Sequence, residues 1–214
     1  LVKPDCVSWL VDLLDNLNLG NPTIVPVEKT MSYADLVYVD PPDNRAQVFD
    51  SFDRKLLIQS LKRVVETKKG DRIVFVSRKR AAKRALKNED ELVEITRATF
   101  PDLEIVDCSQ ISLGKEIELA QECSLAIGAA GQNFSLGPFF GSSTSALILA
   151  KRDVRPFNWA SRYALMASLS GGLGSVCFPT YDWPSFHDHW EYDGACFESQ
   201  LKVFLTLRDE MRYA

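Results

Sequence analysis

Two histidines, three methionines and five cysteines are all that these 214 residues offer as soft or imidazole ligands. The cysteines (Cys6, Cys108, Cys123, Cys177, Cys196) are odd in number and widely spaced. No pair has metal-ligand spacing, so a structural zinc module is excluded and free, mostly buried thiols in a reducing compartment are expected. No apolar run approaches the ~20 residues of a membrane span, and no signal-peptide pattern opens the chain. The first residue is Leu1 rather than Met, which suits a fragment or a processed product. Gly-x-Ser-x-Gly, His-Glu-x-x-His, Cys-x-x-Cys and the Gly-Lys-Ser/Thr of a P-loop are all absent. So is Asp-x-Asp, the carboxylate pair that would hold Mg²⁺ on a phosphorylated substrate, and neither a metal nor a cofactor is expected.

What is present begins with an uneven charge. The chain carries a net −4 and 46% hydrophobic residues, so it is a folded, globally acidic protein. Yet between positions 62 and 87 eleven Lys and Arg stand against only Glu66 and Asp71. One basic locus on an acidic chain fits a small anionic ligand. Nucleic acid usually needs a basic face on a basic domain, and is not expected as a partner.

Apolar, β-branched runs alternate with amphipathic stretches, which predicts a parallel α/β domain, Rossmann-like, with helices on both faces of an open sheet. Helices are expected over 5–19 and 53–67, with short strands at 23–27 and 35–39. A strand at 72–77 follows, then a cationic helix over about 78–88 that would place Arg80, Lys83, Arg84 and Lys87 on one face. Asn88 caps the next helix, to about 99, with three acids in its first turn. A strand at 103–106, a helix capped by Ser112 and a strand at 124–128 come next. A helix from about 144, another over 158–169, a strand at 175–178 and a last helix over 195–211 complete the reading. Residues 1–70 form a helical or linker part, and 71–214 the Rossmann-like domain.

Three constellations carry candidate chemistry. Arg78 stands directly after a strand, where ligands of open α/β sheets bind, and guanidinium forks such as those of Arg78 and Arg84 match phosphate oxygens. The competing reading is a solvated cationic helix face. Gly128-Ala129-Ala130-Gly131 leaves the strand at 124–128 with small residues that let backbone N–H groups approach a ligand, or else simply makes a tight strand exit. The hydroxyls of Ser142, Ser143, Thr144 and Ser145 at a helix start add a phosphate cradle, the alternative being ordinary capping. His187-Asp188-His189 is a third, weaker cluster for a general base, with Asp182 nearby. Trp183, Phe186, Trp190 and Tyr192 either stack on a sugar or pack down the last helix.

The spacing Ser77-Arg78-Lys79-Arg80-(x)3-Arg84-(x)3-Asn88-Glu89-x-Glu91-Leu92 resembles the Ser-Arg, Arg and Asn-Glu signature of glycosyltransferase family 61, seen also in capsular polysaccharide biosynthesis proteins. Ile111-Ser112-Leu113-Gly114-Lys115-Glu116-Ile117 is similar to the segment before that family's next helix, and the likeness runs over roughly residues 5–170. It implies one lobe of a GT-B fold, mainly the C-terminal, donor-binding lobe, with an acceptor lobe preceding Leu1. It further implies metal-independent, inverting transfer of a sugar from a nucleotide-diphosphate donor to a glycan or lipid-linked acceptor, in polysaccharide biosynthesis. Arg78, Arg84 and Asn88 are the matched positions, with Gly128 and Gly131 as backbone donors. One departure stands out: Ala130 occupies the place of the family's His in Gly-x-His-Gly. A non-catalytic nucleotide- or glycan-binding module with the same fold is therefore the second reading. The setting expected is cytoplasmic, with a secretory lumen as the alternative.

Overall fold

The run Arg-Ile-Val-Phe-Val has the β-branched, two-sided apolar character of a strand covered on both faces, and it forms β1 (Arg72–Val76) at the heart of the domain. In the computed structural model, which describes residues 70–151, 159–180 and 188–213, it is followed in chain order by α1 (Glu89–Thr99), β2 (Glu104–Val106), α2 (Leu113–Glu122) and β3 (Cys123–Ala129). A 3-10 helix (Gln132–Phe139), β4 (Ser145–Leu149), α3 (Trp159–Leu169), β5 (Gly174–Cys177) and α4 (Gly194–Tyr213) complete it. The five strands make one all-parallel sheet in the order β2-β1-β3-β4-β5. This is the expected α/β, Rossmann-like architecture. The helices and strands expected before residue 70 lie outside the described residues.

Side-chain alternation divides the core into two layers. Val74, Val76, Ala126, Ala146 and Ile148 face α2, the 3-10 helix and α3. Phe75, Leu125, Ile127, Leu147 and Leu149 face α1, α4, Trp190 and Tyr192. Trp190 and Tyr192 are thus core residues, Tyr192 meeting Phe197 of α4 edge to face, and the packing reading of these two aromatics holds. Of the five cysteines, Cys108, Cys123, Cys177 and Cys196 are free thiols, and burial pushes Cys108 and Cys123 up to about 12. No described helix is long and apolar enough to cross a membrane.

Two expected helices are not helices. The segment from about 144 is strand β4: Ala146-Leu147-Ile148-Leu149 is buried on both sides between β3 and β5, and a short apolar run reads alike for a buried helix turn and a central parallel strand. The cationic segment 78–88 is a folded loop. Its backbone is claimed by residues 189–190: Ala85 N donates to His189 Nδ1 (3.0 Å), Trp190 N to the Ala85 carbonyl (3.0 Å), and Lys87 N to the Trp190 carbonyl (2.7 Å). Arg84 takes φ 59°, a left-handed conformation no helix accommodates. The four cations therefore do not share a face.

The sheet order places a topological switch between β1 and β3. The chain leaves β1 toward β2 through α1 on one face, and leaves β3 toward β4 on the other side. A crevice opens at the carboxyl ends of strands where connections diverge in this way.

Glu116, in the first turn of α2, is half-buried, and burial alone pushes its carboxyl up to about 7. A carboxyl raised in the folded state holds its proton when the unfolded chain has released it, so folding stability should fall as pH rises from about 4.5 to about 7. Glu116→Gln removes that penalty. It should stabilise the protein by about 1–3 kcal/mol at pH 8 and by far less at pH 5, read from urea midpoints at the two pH values.

Candidate anion-binding site at the β1/β3 switch

Strand β1 ends at Val76, and Ser77 N still donates to the Val106 carbonyl of β2 (2.8 Å). The chain then turns at Arg78, with Ala81 N donating to the Arg78 carbonyl (2.9 Å). What holds this exit is Glu89, the first residue of α1, only 3% exposed. Its carboxylate accepts from Ser77 Oγ and from Arg78 N (2.8 Å). One buried carboxylate thus secures both residues of the Ser-Arg pair from the main-chain side. The sequence reading assigned Glu89 to helix capping; the signal that marks it is its place in Asn-Glu, immediately after a loop that returns to the strand exit.

Arg78 is 7% exposed. Its Nη2 donates to the Lys83 carbonyl (3.1 Å), while Nε has no partner among the described residues. Burial and the neighbouring Arg84 both press against its charge, opposed by Tyr163 and Glu89. An arginine does not give up its proton in a protein, so lost hydration and the Arg84 charge are costs on a cation that stays charged, and an anion would offset both. The guanidinium lies on Gly131: a methyl added there would stand 1.4 Å from Arg78 Nη1. Gly131 has an extended backbone, so glycine is needed for the close approach and not for its torsion. The loop is tied across the sheet by Ala130 N, which donates to the Leu149 carbonyl at the end of β4 (2.7 Å).

Arg84, left-handed and half-buried, is anchored through its carbonyl, which accepts from Trp190 Nε1 (3.2 Å). A left-handed non-glycine residue held by its surroundings is the kind of stored strain found at functional sites. On the far side stands Lys151, two residues beyond β4 and 8% exposed, donating through Nζ to the Asp188 carbonyl (2.5 Å). Burial lowers its pKa, Asp188 raises it and Arg84 lowers it. Sequence reasoning passed over Lys151 because the segment around it was read as a helix.

The remaining expected site residues are placed as follows. Asn88 is not in the crevice. Its Nδ2 donates to the Tyr192 carbonyl (2.7 Å) and its Oδ1 accepts from Tyr192 N (3.0 Å), so it clamps the backbone of residue 192. Gly128 sits inside β3, paired with Val76 and Ile148, and its lack of a side chain admits the Val76 carbonyl, 2.4 Å from where a Cβ would be. Ser142, Ser143, Thr144 and Ser145 lie at or before the start of β4, at the opposite edge of the sheet from Arg78. Thr144 Oγ1 is spent on the Cys123 and Gly141 carbonyls, and Ser145 Oγ accepts from Leu173 N. The expected helix start, and the cradle it would make, are replaced by a strand start. Of the base candidates, His189 is exposed and its Nδ1 accepts from Ala85 N, leaving the neutral ring's proton on Nε2. Asp188 is exposed, and His187 and Asp182 lie outside the described residues. Arg78, Arg84 and Gly131 are therefore brought together; Asn88, Gly128 and residues 142–145 are not.

A family model described as Glycosyltransferase 61 matches residues 5–147. No curated protein matches the chain.

Removing the Glu89 side chain leaves Ser77 Oγ and the Arg78 N–H without their buried acceptor. Glu89→Ala should cost about 2–4 kcal/mol in urea unfolding, and Glu89→Gln, which keeps an acceptor oxygen without the charge, about half as much. Equal costs would mean that the carboxylate's charge contributes nothing at this exit.

Proposed function

The chain belongs to glycosyltransferase family 61, and from that premise we propose that it is a glycosyltransferase, or its donor-binding lobe, taking its sugar from a nucleotide diphosphate. The observation that carries this reading is the buried Arg78 guanidinium, repelled by Arg84 and seated on Gly131 at the β1/β3 switch. A buried cation without a carboxylate partner among the described residues is costly unless an anion completes it. The two guanidiniums offer planar donors to phosphate oxygens, and the glycine lets the Arg78 guanidinium lie against the loop.

In the reaction, an acceptor hydroxyl of a glycan or lipid-linked acceptor attacks the anomeric carbon. The bond from that carbon to the diphosphate oxygen breaks, its electron pair stays on the diphosphate, and the hydroxyl proton passes to a base. In-line displacement of this kind inverts the anomeric centre. Arg78 and Arg84 neutralise the charge that grows on the leaving group, a role in which each preorganised donor contributes about 3 kcal/mol. With cations of the protein at the diphosphate, the reading needs no essential metal. The domain from about residue 71 is the donor-binding lobe of a GT-B arrangement in this proposal, the acceptor side being supplied from before it.

A second reading, a nucleotide-binding module without turnover, is favoured by one observation: Ala130 stands where the family's loop His would be, and its N–H is used in the sheet. Turnover of a panel of nucleotide sugars separates the two.

Arg78→Ala should weaken uridine or guanosine diphosphate binding by about 10- to 100-fold in calorimetry, since a hydrogen bond to a charged group contributes ~1.5–3 kcal/mol. Gly131→Ala should do nearly the same with little change in thermal midpoint, because the added methyl meets the movable end of Arg78 and not a backbone. Full affinity in both variants would leave the proposed site without its anion.

A further inference from the structure

The cations at this sheet edge extend past the family signature. Arg78 covers Gly131 in the crevice between β1 and β3. Gly131 follows Ala130, whose N–H bonds the Leu149 carbonyl, and Leu149 is two residues before Lys151. Lys151 Nζ bonds the Asp188 carbonyl, the next residue's imidazole bonds Ala85 N, and the residue after that bonds the Arg84 carbonyl. The contacts therefore form a closed circuit around the exits of β1, β3 and β4, with Arg78, Arg84 and Lys151 on it. Adjacent strands lie about 4.8 Å apart, so Lys151 stands roughly one strand spacing beyond the loop that Arg78 covers. A single phosphate on the Arg78 guanidinium is compact beside that span; two linked phosphates fill it.

We propose that Lys151 is a binding residue for the second phosphate of a two-phosphate ligand, with Arg78 holding the first and Arg84 standing between them. This rests on the anion-site reading given above, and it assigns a residue that the Ser-Arg, Arg and Asn-Glu pattern does not contain. The electrostatics agree with it. Burial lowers the pKa of both Arg78 and Lys151, and Arg84 is close enough to both to lower them further. A dianionic, two-centre ligand relieves both pairs at once. Asp188 is the charged group that opposes this at Lys151, and Glu89 and Tyr163 oppose it at Arg78.

The rival explanation is that Lys151 only holds the strap through the Asp188 carbonyl. Two substitutions separate the roles. Lys151→Gln keeps an N–H donor for that carbonyl and loses the charge; Lys151→Arg keeps the charge. Calorimetry on the 214-residue chain, with inorganic pyrophosphate and inorganic phosphate as probes in metal-free buffer, gives the readout. Wild type should bind pyrophosphate at least tenfold tighter than phosphate. Lys151→Gln should lose about tenfold or more for pyrophosphate and less than about twofold for phosphate, and Lys151→Arg should recover most of it. Exposed Lys202→Gln on α4 should change neither. Pyrophosphate binding unchanged in Lys151→Gln, but lost in Arg78→Ala, overturns the Lys151 role and leaves the anion site standing. Equal wild-type affinity for the two probes overturns the two-phosphate span. Absence of pyrophosphate binding, or binding untouched by Arg78→Ala, overturns the anion site itself and this inference with it.

Discussion

A guanidinium is pressed into the domain with no carboxylate paired to it among the described residues, and the surrounding architecture answers to that constraint. Arg78 is held from behind by its own backbone: Glu89 accepts from its N–H and from the hydroxyl of Ser77, which fixes the direction in which the side chain leaves β1. Gly131 is small because the guanidinium lies on it. Lys83 gives up a carbonyl to one of its nitrogens, and Arg84 adds a second positive charge at close range. The Glu89 carboxylate is bonded to a hydroxyl and a backbone N–H and not to the guanidinium, so it orients the arginine from behind while favouring its charge only at a distance.

The sheet order makes this location available, and the strap over it makes it rigid. Connections diverge at β1 and β3, the position at which open α/β sheets place their ligand crevice. Residues 188–192 then run beside 84–88, with Leu86 and Trp190 in a parallel bridge and Asn88 gripping both backbone groups of residue 192. The loop bearing Arg84 is thereby held in its left-handed turn by neighbours in the same core layer as its own Leu86, where Trp190 and Tyr192 pack with Phe197 of α4. The core on that side and the cation cluster are one mechanical unit.

The architecture was legible because its periodicities are strong: β1, β2, β3, β5, α1, α2, α3 and α4 all lie within two or three residues of where pattern and capping put them. Ser112 does cap α2 through Lys115 N, as its position suggests. Asn88 stands at the N-cap position of α1, yet its side chain serves Tyr192 instead, a contact 104 residues away in sequence that no local rule supplies. The same distance explains the loop at 78–88. Alanine and lysine favour a helix locally, but the N–H groups of Ala85 and Lys87 find partners at 189 and 190, and tertiary pairing overrides weak propensity. At β4 the failure was one of kind: a five-residue apolar run has no period to read. That single error carried Ser142 to Ser145 to the wrong edge of the sheet and hid Lys151 behind an imagined helix. That Arg78 would lie near Arg84 and Gly131 was legible because strand exits and small residues are local properties.

Holding three cations at one sheet edge is unfavourable for the unliganded fold, and the manner of holding them decides what the site can do. If the charges were on flexible side chains at the surface, solvent would screen them and a bound anion would have to order them first. Here Arg78 and Lys151 are buried and Arg84 is half-buried on a strained backbone, so the ordering is completed during folding and is sustained by the core beneath Trp190 and Tyr192. An anion arriving at such a site meets donors already aimed and partly desolvated, which is the condition under which fixed charges act most strongly on charge that develops during a reaction. Binding and stability are then linked in one direction. A ligand that relieves the repulsion between Arg84 and its two neighbours binds the folded state alone, and by mass action it stabilises the whole domain. The buried carboxylate of Glu89 offsets part of that potential from behind, and its two oxygens are already bonded to the Ser77 hydroxyl and the Arg78 N–H, so the face of the guanidinium away from it is left to a ligand.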